Sequence, residues 1–233
     1  LSPAERLKFA PASLPPMARD YETMLAEMID SSDLHIRCLA VYHAGELGLQ
    51  DFRPRLGTLV FQKKLGSMLD KSDRIEALVG ELIAMLGLAA DEAVYARRAA
   101  HLAKADLVTK MVVEMTSLQG IMGREYALRD GEAEAVAQAI GEQYQSVPKT
   151  KPGLALALAD RLDSLAGLFA AGLVPTSTKD PFGLRRAAIG IVQPLMEHEI
   201  DFDLRAAVRK AAQLQPIETK PEVQKQVLDF ITG

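Results

Sequence analysis

Apolar residues recur at helical spacing along most of the chain, and most regularly in residues 154–171. Within that stretch the apolar side chains are separated by three and four residues, which places them on one face of a helix. They are Leu158, Leu162, Leu165 and Phe169. Gly172 is predicted to end the helix, because glycine readily adopts the left-handed conformation that is common at helix ends.

A second helix is predicted after the polar loop 175–179. Asp180 and Pro181 are predicted as its N-cap and its first residue, because proline lacks a donor at a position where none is needed. The two arms of this helix–loop–helix differ in charge. Asp160 and Asp163 lie on the first arm, and Arg185 and Arg186 lie on the second.

The same spacing predicts further helices along the chain. They cover residues 21–30, 33–49, 57–70, 72–87, 91–112, 118–128, 132–145, 200–213 and 220–231. Prolines predict an extended arm over 1–20 and loops over 51–56 and 146–153, since the residue before a proline avoids the helical conformation. No stretch shows the sustained alternation that is typical of strands. The predicted fold is an all-α, multi-helix bundle.

Composition narrows the class of protein. The chain has 233 residues, 48% of them apolar, which is enough for one large or two small domains with a hydrophobic core. The net charge of −4 means that any nucleic-acid contact must come from a local basic face. Cys38 is the single cysteine, so a reducing, cytoplasmic compartment is expected. No apolar run reaches the roughly 20 residues of a spanning helix, and no membrane contact is expected.

Three blocks of sequence carry a family resemblance. They are VFQKKLGSMLDKSDRI at 60–75, KADLVTKMVVEMTSLQGIMGREYA at 104–127, and LADRLDSL followed by PTSTKDPFGLRRAAIGI within 158–191. In this order they resemble the beta subunit of the bacterial tetrameric glycine–tRNA ligase, over about residues 51–231. The chain departs from the family pattern at Ser177 and Thr178, where the family has Gly-Ser, and at Gly183, where it has Ala.

The resemblance implies a part of an ATP-dependent aminoacyl-tRNA synthetase. The expected role is to help bind and position tRNA(Gly) and to assemble with the catalytic alpha subunit. No catalytic residue and no cofactor are expected in this part, whereas ATP and Mg²⁺ are expected of the whole enzyme. The predicted divisions are an unassigned N-terminal arm with helices (1–50), an HD-like helical domain (51–213) and the start of a following, truncated helical segment (214–233).

The LADRL and KADL motifs also resemble the HD superfamily of metal phosphohydrolases, in particular the stringent-response alarmone hydrolases. That resemblance places Asp160 at the last metal ligand and Asp106 at the aspartate of the His-Asp pair. Ala105 stands where the paired His would be, and Lys71 where the first His would be. Two carboxylates without imidazoles bind a transition metal poorly, and an ammonium group repels a cation.

A degenerate HD site without metal is therefore predicted at Lys71, Ala105, Asp106 and Asp160. Asp106 and Asp160 would then persist as hydrogen-bonding or ion-pairing groups, with Lys71 and Lys104 as cations. Two alternatives stay open. One is an active HD-type metal phosphohydrolase, and the other is a purely structural assembly scaffold that contacts protein but no RNA.

Cations in four groups are the candidates for tRNA contact. They are Lys63, Lys64, Lys71, Arg74, Lys104, Lys110, Arg124, Lys179, Arg185 and Arg186. The loop 176–180 with Arg185 and Arg186 is the strongest candidate, because hydroxyl groups, a lysine and a helix start favour an anion. Two alternatives are an internal lock, in which Arg185 or Arg186 pairs with Asp160 or Asp163, and an ordinary solvated surface.

Overall fold

Ten α-helices dominate residues 48–233, the part of the chain that the computed structural model describes. They are α1 (Leu49–Phe52), α2 (Met68–Met85), α3 (Ala90–Leu102), α4 (Lys110–Glu114), α5 (Ile121–Arg129), α6 (Glu134–Glu142), α7 (Lys151–Ala170), α8 (Leu184–Glu197), α9 (Leu204–Gln213) and α10 (Pro221–Thr232). The prediction of an all-α bundle is confirmed. The arm at 1–20, the helix at 21–30, nearly all of that at 33–49, and Cys38 lie outside the described residues.

Helix α7 is the centre of the bundle. It contacts α2, α3, α6, α8, α9 and α10. Because neighbours cover it on all sides, its sequence is apolar nearly all round, and the Leu and Ala side chains from 154 to 159 are fully buried. Each buried leucine contributes about 1.5–3 kcal/mol of hydrophobic stabilisation. Gly172 follows α7 with φ +82°, so the predicted helix end is confirmed.

The helix begins earlier than predicted. The Thr150 hydroxyl accepts a hydrogen bond from the Gly153 N–H at 3.1 Å, and Pro152 lies in the first turn, where no donor is needed. The predicted loop over 146–153 is therefore wrong from residue 151 onward. The last helix, α10, packs on α7, α8 and α9, and Val227 and Ile231 join the hydrophobic core. The predicted domain boundaries stay predictions.

A short β-hairpin replaces most of the helix predicted over 57–70. Strands β1 (Val60–Gln62) and β2 (Gly66–Ser67) pair antiparallel. Helix α2 starts only at Met68, because the Asp70 carboxylate accepts hydrogen bonds from the Ser67 N–H and hydroxyl, both at 2.6 Å. These bonds, of which that from the hydroxyl is the stronger influence, lower the pKa of Asp70. This capping box fixes the helix start.

The prediction of a loop over 51–56 is also wrong. Helix α1 runs into a 3-10 helix at Arg53–Thr58. Pro54 lies in its first turn, where the missing N–H of proline costs no helical hydrogen bond. Arg53 holds the segment by donating to the carboxylates of Asp73 at 2.7 Å and Glu76 at 2.9 Å. Local ion pairs therefore override the helix-breaking tendency of the Arg-Pro step.

The predicted helix over 91–112 is interrupted. Helix α3 ends at Leu102, Lys104 takes a left-handed conformation with φ +68°, and a 3-10 helix at Ala105–Val108 precedes α4. Lys104 is only 3% exposed. The interruption turns both Lys104 and Asp106 inward. In a continuous helix, residues two apart point to different sides, so the two could not both face the core. Among residues 48–233 no helix has the length and apolar content to cross a membrane.

Candidate functional site

A network of buried ion pairs joins α2 to α7. The Asp163 carboxylate, 1% exposed, accepts hydrogen bonds from Arg74 Nε at 2.6 Å and from Lys71 Nζ at 2.9 Å. Gln215 Nε2 donates to the same carboxylate at 3.0 Å. Helical spacing explains the match, since residues three apart share a face: Lys71 and Arg74 on α2 therefore meet the acidic face of α7.

A second carboxylate, that of Asp160, completes the network. It lies 2.9 Å from Lys71 Nζ through Oδ1 and 2.6 Å from Lys104 Nζ through Oδ2. Lys104 also donates to the Tyr144 hydroxyl at 3.0 Å, and Lys71 donates to the Ser164 hydroxyl at 2.8 Å. Two ammonium groups thus lie against one carboxylate.

Electrostatics keeps both acids ionised. Burial alone would raise the pKa of Asp160, but the attraction of Lys104 and Lys71 outweighs burial and lowers it. Asp163 behaves in the same way: burial opposes ionisation, and Lys71 with Arg74 lowers the pKa below its usual range. Buried charges are stable only when paired and hydrogen-bonded, and this network meets that condition for both carboxylates.

Asp106 has a different environment. Its Oδ2 accepts a hydrogen bond from the Gly120 N–H at 2.6 Å, while Oδ1 is buried and has no partner among the described residues. Burial therefore raises the pKa of Asp106. A Cβ on Gly123 would lie 2.8 Å from Ile140 and 3.2 Å from Asp106 Oδ2, so glycine allows α5 to approach both groups closely.

The structure brings together some members of the predicted degenerate HD site. Lys71 and Asp160 are in contact, with Lys104 as a second cation. Ala105 is fully buried, and Asp106 lies in the adjoining turn, where it bonds to Gly120 instead. Within residues 48–233 no three His, Cys, Asp or Glu residues are grouped to hold a metal ion. The HD-like fold itself stays a prediction.

The internal lock predicted as an alternative does not form between the two arms of the helix–loop–helix. Arg74 and Lys71, and not the arginines of α8, pair with Asp163. Arg185 donates to the Thr176 carbonyl at 2.6 Å and lies 3.8 Å from the Asp180 carboxylate.

The predicted start of α8 is also wrong. Asp180 and Pro181 lie in a turn before the helix, which begins at Leu184. The Asp180 carboxylate still caps the helix from that turn, since it accepts from the Leu184 N–H at 2.8 Å and the Arg185 N–H at 2.9 Å.

The predicted cations divide into two groups by exposure. Lys71, Arg74 and Lys104 are at most 8% exposed and paired, so phosphate contact would require breaking the network. Exposed cations include Lys63 and Lys64 in the hairpin turn, and Lys110, Lys179, Arg185 and Arg186. Arg124 is partly exposed on α5 and lies 3.3 Å from Glu125.

The hairpin turn contacts the residue at which the loop after α7 begins. Lys64 Nζ donates to the Ala171 carbonyl at 3.4 Å, which places the hairpin turn beside the end of α7. The ring of Phe61 on β1 lies 4.6 Å from Lys71 Nζ, so the hairpin also rests on the buried network. We refer to the exposed cations Lys63, Lys64, Lys179 and Arg186 as the cationic face.

A cleft of about 370 Å³ adjoins this face where α7 meets the start of α8. Asp160 and Ser164 of the network line it together with Tyr144, Phe182 and Arg186. Arg161, which sequence reasoning left aside, donates to the carbonyls of Gly190 at 2.6 Å and of Gln145. Phe182, in the turn before α8, was also missed.

Comparison with known proteins gives one family. A family model described as glycyl-tRNA synthetase beta subunit matches residues 45–233. The glycine–tRNA ligase beta subunit of Chromohalobacter salexigens is 53% identical over 166 residues, which are 69% of this chain and 24% of the relative. The beta subunits of Salmonella schwarzengrund and Klebsiella pneumoniae are 44% and 43% identical over 192 residues, 79% of this chain and 27% of each relative. The chain thus spans about a quarter of the length of these relatives.

Proposed function

The chain belongs to the glycyl-tRNA synthetase beta subunit family, and from this premise we propose that it serves in a glycine–tRNA ligase by binding and positioning tRNA(Gly). The whole ligase would be cytoplasmic and would use ATP with Mg²⁺ to join glycine to its tRNA. This part would supply no catalytic residue, and it would assemble with the alpha subunit.

The observation that carries the tRNA-binding role is the cationic face. Lys63 and Lys64 extend from a hairpin turn that touches the end of α7, and Lys179 lies in the loop that follows the same helix. All three are exposed. Exposed ammonium groups suit the phosphates of an RNA backbone, even on a chain whose net charge is −4.

The buried cations have a supporting role in this proposal. Lys71 and Arg74 fix α2 to α7 and lie beneath the hairpin, through the contact of Lys71 with Phe61 and the bond from Arg74 Nη1 to the Leu65 carbonyl at 2.9 Å. They orient the surface that presents Lys63 and Lys64. We therefore propose no phosphate contact for Lys71, Arg74 or Lys104.

The alternative of a metal phosphohydrolase has less support. Two ammonium groups lie within 3 Å of the Asp160 carboxylate. A divalent cation at that position would meet both positive charges at short range, and carboxylates without imidazole ligands bind transition metals poorly. An Asp160-dependent, metal-stimulated phosphatase activity would favour the enzyme alternative over ours.

The test is the salt dependence of tRNA binding. The affinity of the 233-residue chain for a tRNA(Gly) transcript should be measured by fluorescence anisotropy between about 50 and 200 mM salt. Replacing Lys63 and Lys64 together by alanine should weaken binding and reduce the slope of log K against log salt by about 2, roughly one for each lysine.

The matched control is Lys220→Ala with Lys225→Ala, which removes the same charge from exposed positions at α10. The control should leave the slope within about 0.5 of the wild-type value. Equal effects of the two double variants would contradict the assignment to the cationic face. Capture of the alpha subunit without salt-sensitive tRNA binding would favour the structural scaffold.

A further inference from the structure

The cleft beside the cationic face contains both of the well-exposed aromatic side chains within residues 48–233. Phe182 is 44% exposed and Tyr144 is 37% exposed, and both line this cleft. Exposing an aromatic ring to water is unfavourable. Proteins that bind single-stranded nucleic acid stack unpaired bases on such rings, in grooves lined by positive charge. Their shared position therefore points to a flat ligand.

The polar groups of the cleft suit a nucleotide. Arg186 is exposed on the first turn of α8 and lines the cleft. The neighbouring N–H groups at the start of α8 already donate to the Asp180 carboxylate, so a phosphate would be bound by the guanidinium of Arg186 and not by the helix end. Gln119 and Gln193 add exposed amides that can pair with base edges.

Gln143 provides an independent observation. It lines the cleft and is 2% exposed. Its Nε2 donates to the Ile140 carbonyl at 2.9 Å, which fixes the orientation of the amide, and its Oε1 is buried without a hydrogen-bond partner. A buried acceptor without a partner is costly. An amino group on a ligand in the cleft, such as the exocyclic amine of a base, would relieve that cost.

We infer that this cleft holds one unpaired nucleotide of the RNA bound at the cationic face, with the base against Phe182 and Tyr144 and the phosphate at Arg186. The inference rests on the proposed function, because the phosphate backbone must first lie across the exposed lysines. A base inside a duplex has both faces covered by its neighbours, so only a single-stranded or extruded base can use the two rings.

The test compares a stacking variant with a charge variant in the 233-residue chain. Phe182→Leu keeps an apolar side chain but removes the ring, and it should weaken tRNA(Gly) binding about 5- to 150-fold, the range for loss of one stacked base. The slope of log K against log salt should stay unchanged, since no charge is lost. Arg186→Gln should weaken binding and also lower that slope by about 1.

Met196→Leu is the control, because Met196 is 71% exposed and lines a different groove. It should bind tRNA within about twofold of wild type, and circular dichroism should show the same helix content in all variants.

A second readout uses a single-stranded RNA oligonucleotide and the matching blunt duplex, each with 2-aminopurine. Stacking should quench its fluorescence in the single strand only, and Phe182→Leu should abolish the quenching. Free AMP is tested as a competitor. If the cleft takes a nucleotide that is part of an RNA chain, AMP should compete less well than the single strand.

The outcomes separate the two proposals. If Phe182→Leu binds tRNA as tightly as wild type while binding stays steeply salt-dependent, the nucleotide cleft is wrong and the proposed function stands. If the chain binds no tRNA, both are wrong. If Phe182→Leu lowers the salt slope as much as Arg186→Gln does, the phenylalanine only shapes the loop, and the stacking inference fails. Competition by AMP that equals competition by the single strand would also overturn it.

Discussion

Replacing Asp163 by asparagine should cost the protein about 3–5 kcal/mol of unfolding free energy, the usual penalty for removing one partner from a buried ion pair. The carboxylate is 1% exposed and bonds to Arg74, Lys71 and Gln215. Asparagine keeps the size of the side chain but places an NH₂ group against a guanidinium and an ammonium. The substitution therefore leaves donors facing donors and the Arg74 charge without its carboxylate.

The structure sets the scale of that loss. Native domains are stable by about 5–15 kcal/mol in total, so the variant loses a large share of its stability. For a chain of this size, 1 kcal/mol corresponds to about 2–4 °C in Tm, and the expected fall is therefore about 6–20 °C. Lys71 keeps its second partner, Asp160, at 2.9 Å. Most of the lost stability therefore comes from Arg74, whose charge is left without its carboxylate.

Urea unfolding followed by circular dichroism at 222 nm, at pH 7, measures the difference. The control is Asp73→Asn, whose side chain is 57% exposed although it lies 2.7 Å from Arg53; it should cost less than about 1 kcal/mol. A loss for Asp163→Asn no larger than that of the control would refute the idea that the buried network stabilises the bundle through this carboxylate.

The pH dependence of the same pair adds a second check. Lys71 and Arg74 outweigh burial and lower the folded-state pKa of Asp163 below its usual 3.8. Its stabilising contribution is therefore present above about pH 4 and is lost as the pH falls through the folded-state value. The difference between wild type and Asp163→Asn should stay constant from pH 7 to 5 and narrow below pH 4.

Two further predictions concern Asp106 and Gly123, its neighbour on α5. Burial raises the folded-state pKa of Asp106, so its ionisation in the folded state costs stability as the pH rises above about 3.8, and Asp106→Asn should become more stable relative to wild type between pH 4 and 7; equal pH profiles in urea unfolding would contradict this. Gly123→Ala should cost about 1–3 kcal/mol through overpacking, because its Cβ would lie 2.8 Å from Ile140; a Tm equal to that of wild type would mean that α5 and α6 separate freely.

The sequence predicts the central helix well and the elements around it less well. Helix α7 has long apolar periodicity and ends at a glycine, and both signals are local. The hairpin at 60–67 carries no such signal, because strands of two and three residues are too short to show alternation. The left-handed Lys104 is also invisible to pattern reasoning, since its conformation is imposed by the partners it meets inside the bundle.

The sequence also predicts only part of the candidate site. The spacing of Asp160 and Asp163 predicts that both acids share a face, but not which cations they meet, because Lys71 and Arg74 lie about 90 residues away. A signal was nevertheless present. Lys71 and Arg74 have the same three-residue spacing on a predicted helix, and two such pairs of opposite charge are complementary. The cleft has no such signal, since Tyr144 and Phe182 come from separate turns that only the tertiary fold brings together.

The network of α2, α7 and Lys104 also constrains how this sequence can change. Each of its cations is covalently part of the chain, so none can dissociate, be chelated or be replaced by another ion. A mutation of any one acid or base leaves its neighbours with unbalanced charge in a largely buried site, whereas a concerted change to matching apolar residues need not destabilise the protein. The positions should therefore show strong epistasis: viable variants alter several of them at once, and intermediates with a single change are rare.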